Sequence, residues 1–237
     1  MGLQAWTAAG LPGEALPWRD SPAVGPWSAD PGLRARLRAQ YWGLPEGAGA
    51  FREEEATLQA LRRAGSAVLW FSAEPWDQMA QLWVLASLTR QGPRPYLSLA
   101  ALREGGSGVP PAALDRAFQL RLPLAQGDRE AATLLWQWFE AEDWPALWKW
   151  LHQGQEIPSL PFLARALARV LEDRPPMLPG RTARQVRELE AAGVRDLSAM
   201  MKALAALEAP YGLAWYGDIV VKKLMAGPPE QGAGSGP

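Results

Sequence analysis

The chain has 237 residues, a formal charge of −1, and no cysteine. Hydrophobic residues make up 48 % and charged residues 21 %, which excludes a wholly disordered chain. The missing cysteine excludes disulfides, thiol catalysis and thiolate metal sites, and His152, the single histidine, rules out a multi-histidine metal centre.

From the N-terminus, Glu14–Trp18 reads as a short strand running into a loop, since Pro22, Gly25 and Pro26 break any helix. Asp30-Pro31 opens a helix. Leu33, Leu37 and Tyr41 form its inward stripe, with Arg34, Arg36 and Arg38 on other faces, and Gly43 and Pro45 end it. A second helix covers Glu53–Arg63, with Leu58 and Leu61 inward. Ala67–Phe71 is a continuous apolar run, as expected of a strand covered on both faces. Pro75–Thr89 is a helix whose apolar residues, Met79, Leu82, Trp83 and Ala86 among them, extend well round its circumference. Tyr96–Leu99 is a further strand. A Gly-rich loop, Glu104 to Pro111, then precedes a helix at Ala112–Phe118 and a last strand at Gln119–Leu122.

From Asp128 the pattern is helical throughout. The segments are Asp128–Glu140, Trp144–His152, Leu160–Leu171, Ala183–Ala192 (capped by Thr182), Leu197–Glu208 and Asp218–Met225. Tyr211-Gly212-Leu213 is read as a turn, and the segment from Pro228 as a disordered tail. The expected domains are 1–125 (α/β), 126–227 (helical) and 228–237 (tail).

Charge is divided along the chain. Residues 1–159 hold 14 basic and 17 acidic side chains, and residues 160–227 hold 10 and 7. There are no asparagines, and Arg outnumbers Lys by 20 to 4, a pattern expected of a thermophilic bacterium with a GC-rich genome. No apolar run of transmembrane length and no secretory leader is visible, so a cytoplasmic protein without membrane contact is expected.

Two polar clusters stand at expected strand ends, where open α/β sheets bind ligands. Trp18-Arg19-Asp20 offers a guanidinium for a phosphate or carboxylate and a carboxylate for a metal or a proton. The plainer reading is an Arg–Asp pair closing a loop. Glu74, Asp77 and Gln78 stand where the next helix begins. Carboxylates there suit capping better than phosphate binding, though with Asp20 they would also suit Mg²⁺. Trp136, Trp138, Trp144, Trp148 and Trp150 are read as core, and His152 as a helix-end residue facing the dipole. In the last three helices Arg181, Arg184, Lys222 and Lys223 are candidates for nucleic-acid contact, although many such trios bind only protein.

Three stretches together resemble the bacterial domain-of-unknown-function 1835 family: Gly13–Asp20 with Gly25-Pro26; Leu69-Trp70-Phe71 with Glu74, Trp76-Asp77-Gln78 and Leu82; and Leu160-Pro161-Phe162-Leu163. The resemblance implies a Rossmann-like α/β N-terminal layer and a helical, winged-helix-like C-terminal domain, and it marks Trp18, Arg19, Asp20, Glu74, Asp77 and Gln78 as matching motif positions. It implies no activity, since none is established for the family. Members usually begin with a strand bearing a His and an Asn-Gly-Asp-like turn. This chain opens Met1-Gly2-Leu3-Gln4-Ala5-Trp6 instead, so the N-terminus is expected to be truncated or that element lost.

The functional expectation is a non-catalytic regulatory protein. Trp18–Asp20 and Glu74–Gln78 would bind a small polar ligand, and residues 160–227 would contact DNA or protein. The alternative is a Mg²⁺-dependent phosphoryl- or nucleotide-processing enzyme using Asp20, Glu74 and Asp77. No cofactor, catalytic residue or firm metal ligand is assigned.

Overall fold

A computed structural model describes residues 3–45, 53–90, 96–102, 109–177, 179–209 and 217–227. The tail from 228, the turn at 211–213 and most of the Gly-rich loop lie outside these residues. The described residues form a mixed α/β structure, mostly helical, with one three-stranded sheet. They divide into two compact units, 1–170 and 171–237.

The first unit is built around one helix. Strand β1 (Ser66–Ser72) leads into α4 (Pro75–Arg90), which returns the chain to β2 (Tyr96–Leu102). The two strands pair in parallel, from Ser66 opposite Tyr96 to Ser72 opposite Leu102. Met79, Leu82, Val84, Leu85, Ala86 and Leu88 of α4 are each at most 2 % exposed, so the helix is buried on every face. It packs against β1, α3 (Glu53–Arg63) and α6 (Gln126–Glu140). The expected boundary at 125/126 therefore falls inside the first unit, because α6 covers α4.

A helix α5 (Pro111–Gln119) leads to β3 (Leu122–Pro123), which pairs antiparallel with β2 at Ser98–Pro123 and Leu99–Leu122. Pro123 has no N–H to donate, which limits this strand. The N-terminal helix α1 (Leu3–Ala8), not foreseen from the sequence, sets Trp6 edge-on to Trp70 of β1 at 5.5 Å.

Glu14–Trp18 forms no strand. Pro17 lacks a ladder donor, and the segment is held instead by side chains described below. The helix α2 (Pro31–Trp42) begins at Asp30, whose carboxylate accepts the Leu33 N–H, and ends at Gly43 with φ +67°. Its most buried face is not the expected stripe, of which Leu37 and Tyr41 are half-buried. Leu33 is 39 % exposed, whereas Arg34 and Arg38 are 5 % and 0 % exposed. The loop before the helix lies on its arginine face, and the loop's carbonyls need donors that leucine cannot provide.

Helix α7 (Trp144–His152) follows α6 with the expected bounds. The next helix, α8, runs Leu163–Leu171 rather than from Leu160. Leu160 donates to the Ile157 carbonyl in a turn, and the prolines at 158 and 161 delay the helix.

The second unit packs α9 (Arg181–Ala191), α10 (Leu197–Glu208) and α11 (Asp218–Met225) around Val186, Met200, Leu204 and Val221, all fully buried. Thr182 does not cap α9. Gly180 holds the cap position, and Thr182 is the second residue of the helix, its N–H (2.8 Å) and hydroxyl (2.5 Å) both donating to Asp173. Asp173 thus performs the capping from outside the helix.

Candidate functional site at the strand end

The end of β1 is closed by the helix that follows it. Ser72 donates its N–H to Asp77 Oδ2 at 2.8 Å, and its carbonyl accepts from Gln78 Nε2 at 2.6 Å. The Ser72 hydroxyl accepts the Glu74 N–H at 3.3 Å. Asp77 and Gln78 therefore satisfy both backbone groups of one strand residue, as a neighbouring strand would. The half-buried Glu74 carboxyl is raised above its ordinary value, first by burial and then by repulsion from Asp77.

The loop 18–28 supplies the other motif. Trp18 Nε1 donates to the Asp20 carbonyl at 2.7 Å, and the Trp18 ring meets Trp83 edge-on at 4.7 Å. Arg19 is exposed and reaches Glu53 at 3.4 Å. Asp20 is 1 % exposed; its Oδ1 accepts from Ser21 N–H at 2.9 Å and from Arg38 Nη2 in a buried ion pair. Arg38 also donates to the carbonyls of Ser21 and Val24. Burial pushes the Asp20 carboxyl up, and Arg38 opposes that rise without cancelling it.

Arg34 lies against Trp27 and Trp83, at 4.9 and 4.8 Å from the ring centres, and donates to the Ser28 carbonyl at 3.0 Å. Burial draws it below the ordinary guanidinium value, with Asp20 the strongest opposing charge. Glu54, 3 % exposed, joins the same electrostatic group. Burial raises it to about 7; Asp20 and Glu53 add to the rise, and Arg34 opposes it. Arg34, Arg38 and Glu54 were not anticipated as a site. Their one sequence signal is the four-residue spacing of Arg34 and Arg38, which places both on one helical face.

The two motifs meet, because the Ser21 hydroxyl donates to the Trp76 carbonyl at 2.6 Å. Their carboxylates do not assemble. Asp20 is committed to Arg38, and Asp77 to Ser72. Among the described residues no group of three or more His, Asp or Glu side chains is positioned for a metal ion.

A small cavity of about 10 Å³, room for a single water-sized group, lies beside this strand end. Phe71, Gln78, Gln81, Ser159 and Phe162 line it, together with Leu99 and Ala100 of β2. No lining residue is charged. Gln78 and Gln81 are three apart on α4 and share a face. Gln78, 2 % exposed, leaves its Oε1 without a hydrogen-bond partner, as does the Ser159 Oγ at 7 %. Of the six expected ligand-binding residues, Gln78 alone lines this cavity. Gln81 and Ser159 were missed, although Ser159 adjoins the Leu160–Leu163 stretch already noted.

In the second unit, Arg181 pairs with Glu172 at 3.0 Å and with the buried Glu208 at 3.2 Å. Arg184 donates to the Pro179 carbonyl at 2.6 Å, and Lys222 pairs with Asp218 at 3.1 Å. Lys223 is exposed on the same helix as Lys222. In the first unit His152 is exposed and stacks on Trp148 at 5.6 Å. No helix of the described residues is long and apolar enough to cross a membrane. Comparisons with family models, curated proteins and solved structures return no match for this chain.

Proposed function

We propose that this protein is a non-catalytic binding protein whose strand-end cavity receives the polar head of a small ligand. The observation that carries the reading is the unpartnered Gln78 Oε1, a buried acceptor on a residue that lines an uncharged cavity. A buried acceptor without a donor costs about 1–3 kcal/mol, and a ligand donor recovers that cost. Asp77 and the remainder of Gln78 then serve as the frame that holds the acceptor in place. The Mg²⁺ enzyme reading draws no comparable support, since Asp20 and Asp77 are spent on structural partners.

The same proposal takes the β1–α4–β2 unit as Rossmann-like, the α9–α11 trio as winged-helix-like and in contact with a macromolecule, and the chain as a cytoplasmic member of the domain-of-unknown-function 1835 family. The parallel strand pair and the exposed Arg184 and Lys223 support these finer points. Native mass spectrometry of the full chain purified from its own host tests the central claim. The expected spectrum shows a small-molecule adduct that Ser159→Ala weakens. A spectrum of bare chain alone overturns the reading.

A further inference from the structure

We propose that β1 pairs edge to edge with β1 of a second copy of this chain, antiparallel and centred on Val68. The sheet order is β1-β2-β3, so β1 has β2 on one side and no described strand on the other. The ladders fix which of its groups look outward. Leu124 donates to the Leu97 carbonyl, so Leu97 and Leu99 of β2 turn their backbone groups to β3, while Ser98 and Ala100 turn theirs to β1. Ser98 lies opposite Val68 in a parallel pair, so it bonds the residues on either side of Val68, which are Ala67 and Leu69. The N–H and C=O of Ser66, Val68, Trp70 and Ser72 therefore point away from β2. Those of Ser72 are closed by Asp77 and Gln78. Those of Val68 and Trp70 have no such partner among the described residues.

The two edges of the sheet differ. β3 is only Leu122–Pro123, and Pro123 has no N–H to present to the outside. β1 carries neither charge nor proline from Ser66 to Ser72, and Val68 and Trp70 are only half-buried. An apolar edge without such guards is a template for another strand. A second copy fits it because the open stretch is symmetrical. With Ser72 closed, the outward residues are Ser66, Val68 and Trp70, and Val68 is their centre. A two-fold axis there sets the two Val68 residues opposite each other and each Ser66 opposite Trp70 of the other copy. Each of these pairs exchanges both backbone bonds. Charge agrees with the antiparallel sense. Arg62 and Arg63 end the helix before β1, and Glu74 follows the strand. Antiparallel pairing brings the basic end of one copy to the acidic end of the other, whereas a parallel arrangement sets like ends together.

The chain contains no cysteine, so a single introduced thiol reports on a single position. Val68→Cys is expected to give a disulfide-linked dimer on mild oxidation, since hydrogen-bonded antiparallel neighbours lie about 5.5 Å apart between Cα atoms, within disulfide reach. Ser66→Cys should not link, because this register separates the two Ser66 residues by roughly 13 Å along the strands. Sedimentation of the full wild-type chain should show a monomer–dimer equilibrium, and Val68→Pro should weaken it roughly tenfold or more. That proline removes an outward N–H and none that β2 uses, so the circular dichroism spectrum should be unchanged. A wild-type chain that stays monomeric at millimolar concentration leaves the edge to another occupant and overturns the assignment. So does a folded Val68→Pro that dimerises like the wild type, or Ser66→Cys that links as readily as Val68→Cys. Should Val68→Pro fail to fold, the two cysteine variants decide between these outcomes.

Discussion

The Arg38 guanidinium, fully buried, is ion-paired to the Asp20 carboxylate, which is itself 1 % exposed. Through that pair α2 holds the loop that carries Trp18, and through the Ser21–Trp76 hydrogen bond the same loop reaches α4. Removing one partner leaves the other charge buried without this counter-charge. Arg38→Ala and Asp20→Ala are each expected to cost about 3–5 kcal/mol in urea unfolding. The double variant should lose clearly less than the sum. Full additivity would show that the pair is not coupled.

Glu54 sets a pH dependence. Its folded carboxyl is raised from 4.5 to about 7, so the folded chain binds that proton more tightly than the unfolded chain does. The sign follows from that. The contribution is fully present below about pH 4.5 and is lost as pH rises towards and through 7. Asp20 and Glu74 are raised as well and act in the same direction. Allowing for solvent screening, the loss at Glu54 is on the order of 1–2 kcal/mol. Glu54→Gln should flatten this slope and leave the variant more stable than the wild type at pH 8. Thermal melts from pH 4.5 to 8 measure both effects. Equal slopes in the two proteins would contradict the assignment.

Gly25 has φ +76°, and a Cβ there would stand 2.8 Å from Tyr41 Cδ1 and 3.0 Å from Arg38 Nη1. Backbone strain and collision add; the collision falls first on the Tyr41 ring, with the guanidinium that holds the loop tightly against it as well. Gly25→Ala is expected to destabilise by about 2 kcal/mol or more. Gly43 serves as control: it also has positive φ, but a Cβ there meets nothing within 4 Å. Gly43→Ala should therefore show the backbone cost alone, about 1 kcal/mol. Equal losses at the two positions would remove the steric part of the argument.

Sequence pattern reads best where an element's neighbours are also regular. The bounds of α3, α7, α10 and α11 follow directly from apolar spacing and end residues such as Asp143 and Asp196, which accept N–H groups of the first turn as caps do. The complete burial of α4 follows from apolar residues spread round its circumference. Reading fails where an irregular segment is the neighbour. The stripe Leu33, Leu37, Tyr41 pointed inward on periodicity, yet the loop before α2 lies on Arg34 and Arg38. Periodicity records which face is apolar, whereas a loop rich in carbonyls selects the face that donates. The same limit hid most of the cavity. Asp77 and Gln78 stood out because they follow a strand, but Ser159 lies in a turn 81 residues beyond Gln78, and no local pattern joins the two.

The last prediction concerns the second unit, where a carboxylate outside the helix caps α9. Asp173 Oδ1 accepts the Thr182 N–H at 2.8 Å, and Oδ2 accepts the Thr182 hydroxyl at 2.5 Å. The fit requires glycine at 180, since a Cβ there would stand 2.5 Å from Asp173 Oδ1 and 2.7 Å from its Cα. The second contact is with backbone, which no rotamer change relieves. Asp173→Ala should cost about 1–2 kcal/mol, the range of a lost cap. Gly180→Ala should cost at least as much by driving the same carboxylate away. The two losses share one cause, so the double variant should lose little more than Gly180→Ala alone. Amide exchange in α9 reads this within the intact chain: protection should fall at Thr182 and Ala183 in both single variants. Additive losses would mean that Gly180 is required for some reason other than its closeness to Asp173.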